Sequence, residues 1–414
     1  MQISKRPWYQ GMANFWLNDV GCASYFVAAI LAAFLSLITA SIENINALII
    51  MFSTICIYSS IAWQSIKMQA TEWQFLVVGY REHVMFQGKV FILLSNFISI
   101  LSIIIANNIH LLATLSLANI IGIIIWFLNR SHSHLFTFVC YCSFFIAALV
   151  DILIEQLPIW LIPVNIVLLI ATYFFQNKFI TAPYSWHSGS LINYLNGLQS
   201  GWSPVPSSLF SNYGGSINKG LFPLSYFVGP GLSQHLVLLI LFCIIGVVIN
   251  LFYNIAEHVL FVLTLGLFTI VTLSLWSKIQ KKNSWELLLT LPIFNSSDNA
   301  KVALSYSIFK LSLLVATLCF VTTFALNFTN QSLSILNVLS YSLACTGGVL
   351  FSFAIGNIFK NINFLSLFLC LAFGLNIGLT TYLLENGTNL TTLIILGIYT
   401  VAMATMNRFT VRYL

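Results

Sequence analysis

The chain has 414 residues, 59% hydrophobic and 6% charged, with 16 Lys and Arg against 10 Asp and Glu, and a mean hydropathy of +0.94. A soluble domain carries about 25% charged side chains, so this composition excludes a water-exposed globular protein and leaves an integral membrane protein. The net charge of +6 follows from membrane orientation and calls for no nucleic-acid partner.

In chain order, Trp8, Tyr9, Phe15 and Trp16 alternate with polar residues and read as an interfacial segment over residues 1–20. Apolar runs follow at about 21–40, 45–62, 88–106, 111–128, 135–153 and 157–175, then at about 233–252, 257–276, 302–325, 333–357, 362–384 and 389–406. About 20 apolar residues cross a hydrocarbon core of about 30 Å as a helix. The runs lack the alternation of barrel strands, and unpaired backbone is not tolerated in lipid, so α-helices are expected. The fold predicted is all-α: a polytopic membrane protein of about twelve transmembrane helices in two pseudo-repeated six-helix halves, residues 21–175 and 235–414. No small-residue cleavage site closes the first run, which reads as a retained span rather than a secretory signal.

Residues 176–234 form the connector. Pro183, Pro204, Pro206, Pro223 and Pro230 mark it as a join. Tyr184, Trp186, Tyr194, Trp202, Tyr213, Phe222, Tyr226 and Phe227 make it too aromatic for a free linker. It is expected to pack on the interface, with a substrate-binding or gating loop as the other reading.

Basic residues collect in cytoplasmic loops. With the N-terminus inside, the inner side receives Lys5, Arg6, Lys67, Arg81, Lys89, Arg130, Lys178, Lys219, Lys278, Lys281, Lys282, Lys301, Lys360, Arg408 and Arg412. The outer turns carry Glu43, Glu155, Glu257 and Glu385. Both termini are therefore expected in the cytoplasm, with the chain in the cell (inner) membrane. Lys310 alone falls inside a span, where it either snorkels inward or lines a polar path.

The eight cysteines lie in or at the ends of apolar runs without metal or redox spacing and read as small buried hydrophobes. His132 and His134 form an H-x-H, read as a solvated loop pair in preference to a metal site. The triplets Asn386-Gly-Thr and Asn389-Leu-Thr match glycosylation acceptors, which matter only in a eukaryotic secretory route. Asn165, Asn250 and Thr346 read as helix-joining polar residues rather than cargo ligands.

Two inner loops are alike. An offset of 212 residues superposes Trp73 on Trp285, Leu76 on Leu288 and Lys89 on Lys301. Trp73, Leu76, Val77, Tyr80 and Val84 follow helical spacing, as do Trp285, Leu288, Leu289 and Ile293. Each segment is predicted as a short amphipathic helix on the inner membrane face, available either to lipid alone or to a soluble partner. Asn295 to Asp298 is predicted to turn the chain and cap the next helix after Pro292 has ended the short one.

The segment Trp285-Glu286-Leu287-Leu288-Leu289-Thr290-Leu291-Pro292, with Lys301 opening the next span, resembles the E-L-L-L-x-x-P … K element of type 2 ABC export permeases. That resemblance implies a coupling helix between the second and third spans of a six-span block, contacting a nucleotide-binding subunit. In the first copy Gln74 stands in place of Glu286 and Tyr80 in place of Pro292. The ATPase-coupling residues carried over are Trp73, Leu76, Arg81, Lys89, Trp285, Glu286, Leu288, Leu289, Pro292 and Lys301.

The sequence contains no G-x-x-x-x-G-K-[ST]. The resemblance therefore implies a non-enzymatic transport subunit without cofactor, working with separate ABC ATPase subunits in two copies that bind the ATP. Charges are nearly absent from the spans, which favours an amphipathic, lipid-like or peptide cargo over a strongly ionic one. Two other classes fit the layout: a major-facilitator-like secondary transporter and a membrane glycan polymerase or ligase. The first lacks its usual G-x-x-x-D-R-x-G-R loop here, and the second lacks a carboxylate in the long loop.

Overall fold

The computed structural model describes residues 9–71, 79–131, 154, 157–181, 211–229, 231–252, 255–281, 284–289, 293–294, 296–330, 334–386 and 388–411, with isolated positions within 139–150 and 191–198. Among them the regular structure is helical throughout. The chain divides into two compact units, Met1–Leu198 and Gln199–Leu414.

In the first unit a π-helical turn, Ala13–Leu17, leads into α1 (Val20–Ile38), α2 (Glu43–Ala70), α3 (Tyr80–Ala106), α4 (Ile109–Ser131) and α5 (Leu161–Thr181). The central helix is α2, packed by α1, α3 and α4. It is rich in small polar residues, yet nearly all of them are buried. Their hydroxyls are satisfied within the helix, as Thr54 Oγ1 on the Ile50 carbonyl at 2.9 Å and Ser60 Oγ on that of Cys56 at 2.9 Å. Others join helices: Ser53 Oγ donates to the Ala29 carbonyl on α1 at 2.9 Å. Asn96 of α3 and Asn119 of α4 exchange amide hydrogen bonds of 3.2 and 2.7 Å.

In the second unit, α6 (Ser211–Gly220) and α7 (Leu224–Val228) precede α8 (Gly231–Asn250), α9 (Ala256–Gln280), the short α10 (Ser284–Leu289), α11 (Ser297–Asn330), α12 (Ile335–Gly356), α13 (Ile362–Asn386) and α14 (Leu390–Thr410). Its core runs from Leu221, Leu224 and Phe227 through α8, α9, α11 and α12 to Leu365 and Leu369. Tyr341 ties α12 to α9 by donating to the Leu260 carbonyl at 2.6 Å. Ser342 ties it to α11 through the Ala316 carbonyl at 3.0 Å. Residues 211–228, from the sequence-defined connector, thus form two helices, and Leu221, Leu224 and Phe227 enter this core.

Eight helical stretches among the described residues are long and apolar enough to cross a membrane, which makes this a multi-pass membrane protein by length and composition. Twelve were expected. Three of the others occur as shorter apolar stretches, Tyr25–Ile38, Leu161–Thr172 and Leu367–Thr380. The expected fifth span, 135–153, lies mostly outside the described residues.

Several helices begin earlier than hydropathy marks. The third starts at Tyr80 rather than 88, and the ninth expected span at Ser297 rather than 302. With 34 residues, α11 is about 51 Å long, well beyond the hydrocarbon thickness of about 30 Å. Lys310 therefore does not sit at mid-membrane by necessity. It is exposed, lies over the Tyr306 ring at 4.7 Å and donates to the Gly220 carbonyl at the end of α6 at 3.4 Å, a cation at a helix C-terminus.

Candidate functional site

The short helix α10 lies between α9 and α11, at the place where the sequence carries its E-L-L-L element. One side of it is fixed. Leu288 is fully buried in the core of the second unit, and the half-buried Trp285 packs on Phe227 of α7 with ring centroids 4.9 Å apart. Just beyond, Phe294 stacks on Phe222 at 5.9 Å and an interplanar angle of 12°. The other side is open: Glu286 is exposed and Leu287 retains 63% of its surface. An apolar side chain beside a carboxylate is a face suited to a partner that offers a hydrophobic recess and a hydrogen-bond donor or cation.

Leu289 belongs to α10, whereas Pro292, Trp73 and Leu76 lie outside the described residues, as do His132 and His134. Ile293 lies beyond α10, which ends at Leu289, and is 68% exposed. Lys301 is half-buried in α11. Ser296 caps α11, its Oγ accepting the Asn299 N–H at 3.3 Å, while Asn295 of the expected turn lies outside the described residues.

In the first unit the expected amphipathic run from Trp73 to Val84 is not one helix. Gly79 takes φ +73°, a left-handed conformation that interrupts helical continuity at the start of α3, and Tyr80 and Val84 belong to α3, where both are buried. Arg81 and Lys89 are half-buried on α3 itself.

Beside this junction lies a buried polar cluster that sequence reading did not assemble. Asp19, at the foot of α1, forms an ion pair with Lys67 of α2 and accepts the Trp63 Nε1–H at 2.7 Å. Tyr194 stacks on Trp63 at 5.4 Å. The aromatic N-terminal segment is docked next to them rather than lying free: Trp16 is 1% exposed and donates to Gln87 Oε1 at 2.8 Å. Gln10 offers its carbonyl to Gln87 Nε2 at 3.1 Å and to the His83 ring at 2.7 Å, and Phe15 meets Tyr80 edge-on at 5.3 Å. Asp19 and Lys67 are 48 residues apart in the chain, and no periodicity links them.

The second unit has a different lysine. Lys278, two residues before the end of α9, is buried and donates to Asn357 Oδ1 at the end of α12. Asn357 Nδ2 in turn donates to Asn407 Oδ1 on α14 at 3.1 Å. Outside the membrane helix, burial pushes the neighbouring Lys281 below the ordinary lysine pKa.

The residues weighed as neutral cargo ligands have local partners. Asn165 Nδ2 reaches Ser116 Oγ at 3.4 Å, Asn250 Oδ1 accepts the Ile255 N–H at 2.9 Å, and Thr346 bonds to the Ser342 carbonyl at 2.6 Å. Among the described cysteines, Cys22, Cys56, Cys243, Cys319 and Cys345 are buried and Cys370 is half-buried, all as free thiols.

Comparison with protein-family models, with curated protein sequences and with solved structures found no match to this chain.

Proposed function

We propose that this protein is the membrane-embedded permease of an ATP-driven ABC exporter, moving an amphipathic, lipid-like or peptide substrate with energy supplied by separate ATPase subunits, two per complex. The reading rests on α10: a short helix between two membrane-length helices, anchored by Leu288 and Trp285, that holds Glu286 and Leu287 outward. In this role α10 faces the cytoplasm, both termini are cytoplasmic, and the chain sits in the cell membrane.

A pseudo-repeat of two six-span halves belongs to the same proposal. Supporting it, the first long helix of each unit packs on the second and third: α1 on α2 and α3, and α8 on α9 and α11. The second packs on the fourth in each case, α2 on α4 and α9 on α12, and the fourth on the last, α4 on α5 and α12 on α14. Each unit also seats an aromatic segment from before its first long helix against the start of the second-to-third connection or of the helix after it, Phe15 on Tyr80 and Phe227 on Trp285.

In mechanism, the chain holds no nucleotide-cradling motif, so closure of the ATPase pair must act on it from outside. A push on Glu286 and Leu287 passes through Trp285 to Phe227 and through Leu288 to the core, because packed interiors transmit displacement rather than absorb it. The helices then rock between inward- and outward-open arrangements, which requires that the two arrangements bind the ATPase with different affinity.

The test is contact. Replacing the exposed Leu287 with Cys and treating native membranes with a maleimide–benzophenone reagent, whose maleimide takes the new thiol and whose photoactivated ketone inserts into a nearby C–H bond, is expected to cross-link the chain to a P-loop polypeptide. Cross-linking to lipid-phase neighbours alone, with no P-loop polypeptide in the product, contradicts the reading.

A further inference from the structure

Lys67 and Lys278 occupy similar places, three and two residues before the end of the second long helix of their units. Their surroundings differ in one respect. Lys67 has a carboxylate from its own chain, Asp19. Lys278 is 4% exposed, and its partner among the described residues is the neutral amide of Asn357. The carboxylates of the second unit are elsewhere. Glu257 lies at the opposite end of α9, about 32 Å away along the axis. Glu385 lies near the far end of α13, about 35 Å from its start. Glu286 and Asp298 are exposed. Among the described residues Lys278 has no carboxylate partner, and a buried ammonium so placed is costly in a helix bundle.

The rim around Lys278 is basic. The chain of hydrogen bonds from Lys278 through Asn357 to Asn407 brings the ends of α9, α12 and α14 together. Lys281 follows the first, Lys360 the second, and Arg408 adjoins Asn407 on the third. Lys360 and Arg408 are exposed, and Lys281 is half-buried with its pKa pulled down by that burial. Large apolar side chains stand beside these charges: Ile358 is 51% exposed and Phe409 58%. Basic heads with apolar flanks at the ends of membrane helices match a phosphate headgroup on acyl chains.

We propose that this end of the second unit is a binding site for an anionic phospholipid, whose phosphate is held by Lys281, Lys360 and Arg408 and supplies the counter-charge that Asp19 supplies to Lys67 in the first unit. Lys278, Asn357 and Asn407 form the buried frame that sets the three helix ends in place. The site is independent of the transport reading above and stands whichever ATPase or cargo the chain serves.

The test uses the purified full chain with equal amounts of phosphatidylglycerol and phosphatidylcholine, and counts retained lipids by native mass spectrometry. Each basic residue near an anionic headgroup is worth about fivefold in affinity. Wild type is expected to retain phosphatidylglycerol selectively and to gain thermal stability from it. Lys360→Gln with Arg408→Gln, both at exposed positions, is expected to cut that selectivity by more than tenfold while the unfolding midpoint in phosphatidylcholine is unchanged. Adding Lys281→Gln is expected to bring the two lipids to parity. Equal retention by wild type overturns the proposal, as does selectivity that survives all three substitutions. Stabilisation by inorganic phosphate equal to that by the lipid overturns it in favour of a free-anion site.

Discussion

Trp285 rests on Phe227 with ring centroids 4.9 Å apart and planes at 47°, so the helix before the first long span of the second unit supports the turn that follows its second. Together with Leu288, which is fully buried, this contact makes α10 a rigid part of the unit rather than a loose surface turn. Leu288→Ala is expected to cost about 3 kcal/mol and Trp285→Ala, half-buried, about 2 kcal/mol. Glu286→Lys with Leu287→Asp is expected to stay within about 0.5 kcal/mol of wild type. Thermal unfolding of the purified chain separates the two groups, and equal losses in both would mean that α10 has no seated side.

The Asp19 and Lys67 pair predicts an asymmetric response. Asp19→Asn leaves the Lys67 charge among buried groups and is expected to cost about 3 kcal/mol. Adding Lys67→Gln is expected to recover a good part of that loss, since a neutral pair carries no uncompensated charge. A thermal-unfolding double-mutant cycle reads the coupling. Additive losses would show that the pair is not a unit.

Gly122 on α4 faces Tyr58 on α2, and a Cβ there would lie 2.1 Å from Tyr58 Cδ2. Gly122→Ala is expected to push the ring away, weaken its 3.3 Å hydrogen bond to Asn119 and cost about 1–3 kcal/mol. An unchanged unfolding midpoint would mean that α2 and α4 are not in close contact.

Membrane class and most helix positions were legible in the sequence, because a crossing helix must present about 20 apolar residues whatever its neighbours. Helix starts were legible only where a cap marked them, as Ser296 does for α11. Tyr80 to Gln87 is too polar for a hydropathy window, but its side chains are met by the N-terminal segment, with Trp16 on Gln87 and Phe15 on Tyr80. The spacing of Trp285 and Leu288 sets them on one side of α10, and in the structure that side is seated in the core of the unit. Ile293 lies beyond the end of α10, and Gly79 starts a separate helix at Tyr80 that carries Val84, breaks that the spacing of apolar residues does not announce. The Asp19 and Lys67 pair and the network of Lys278, Asn357 and Asn407 depend on tertiary contact. Their one sequence signal was a charge placed at the margin of an apolar run, which positive-inside counting absorbs as orientation.

The most direct measurement of the central claim is ATPase activity recovered with the chain after affinity purification from its native membranes. Wild type is expected to carry a P-loop polypeptide and nucleotide hydrolysis with it, and the Glu286→Lys, Leu287→Asp variant to lose both while keeping its unfolding midpoint. Wild-type protein that purifies without such a partner, or a variant that keeps the partner at the wild-type level, would contradict the account.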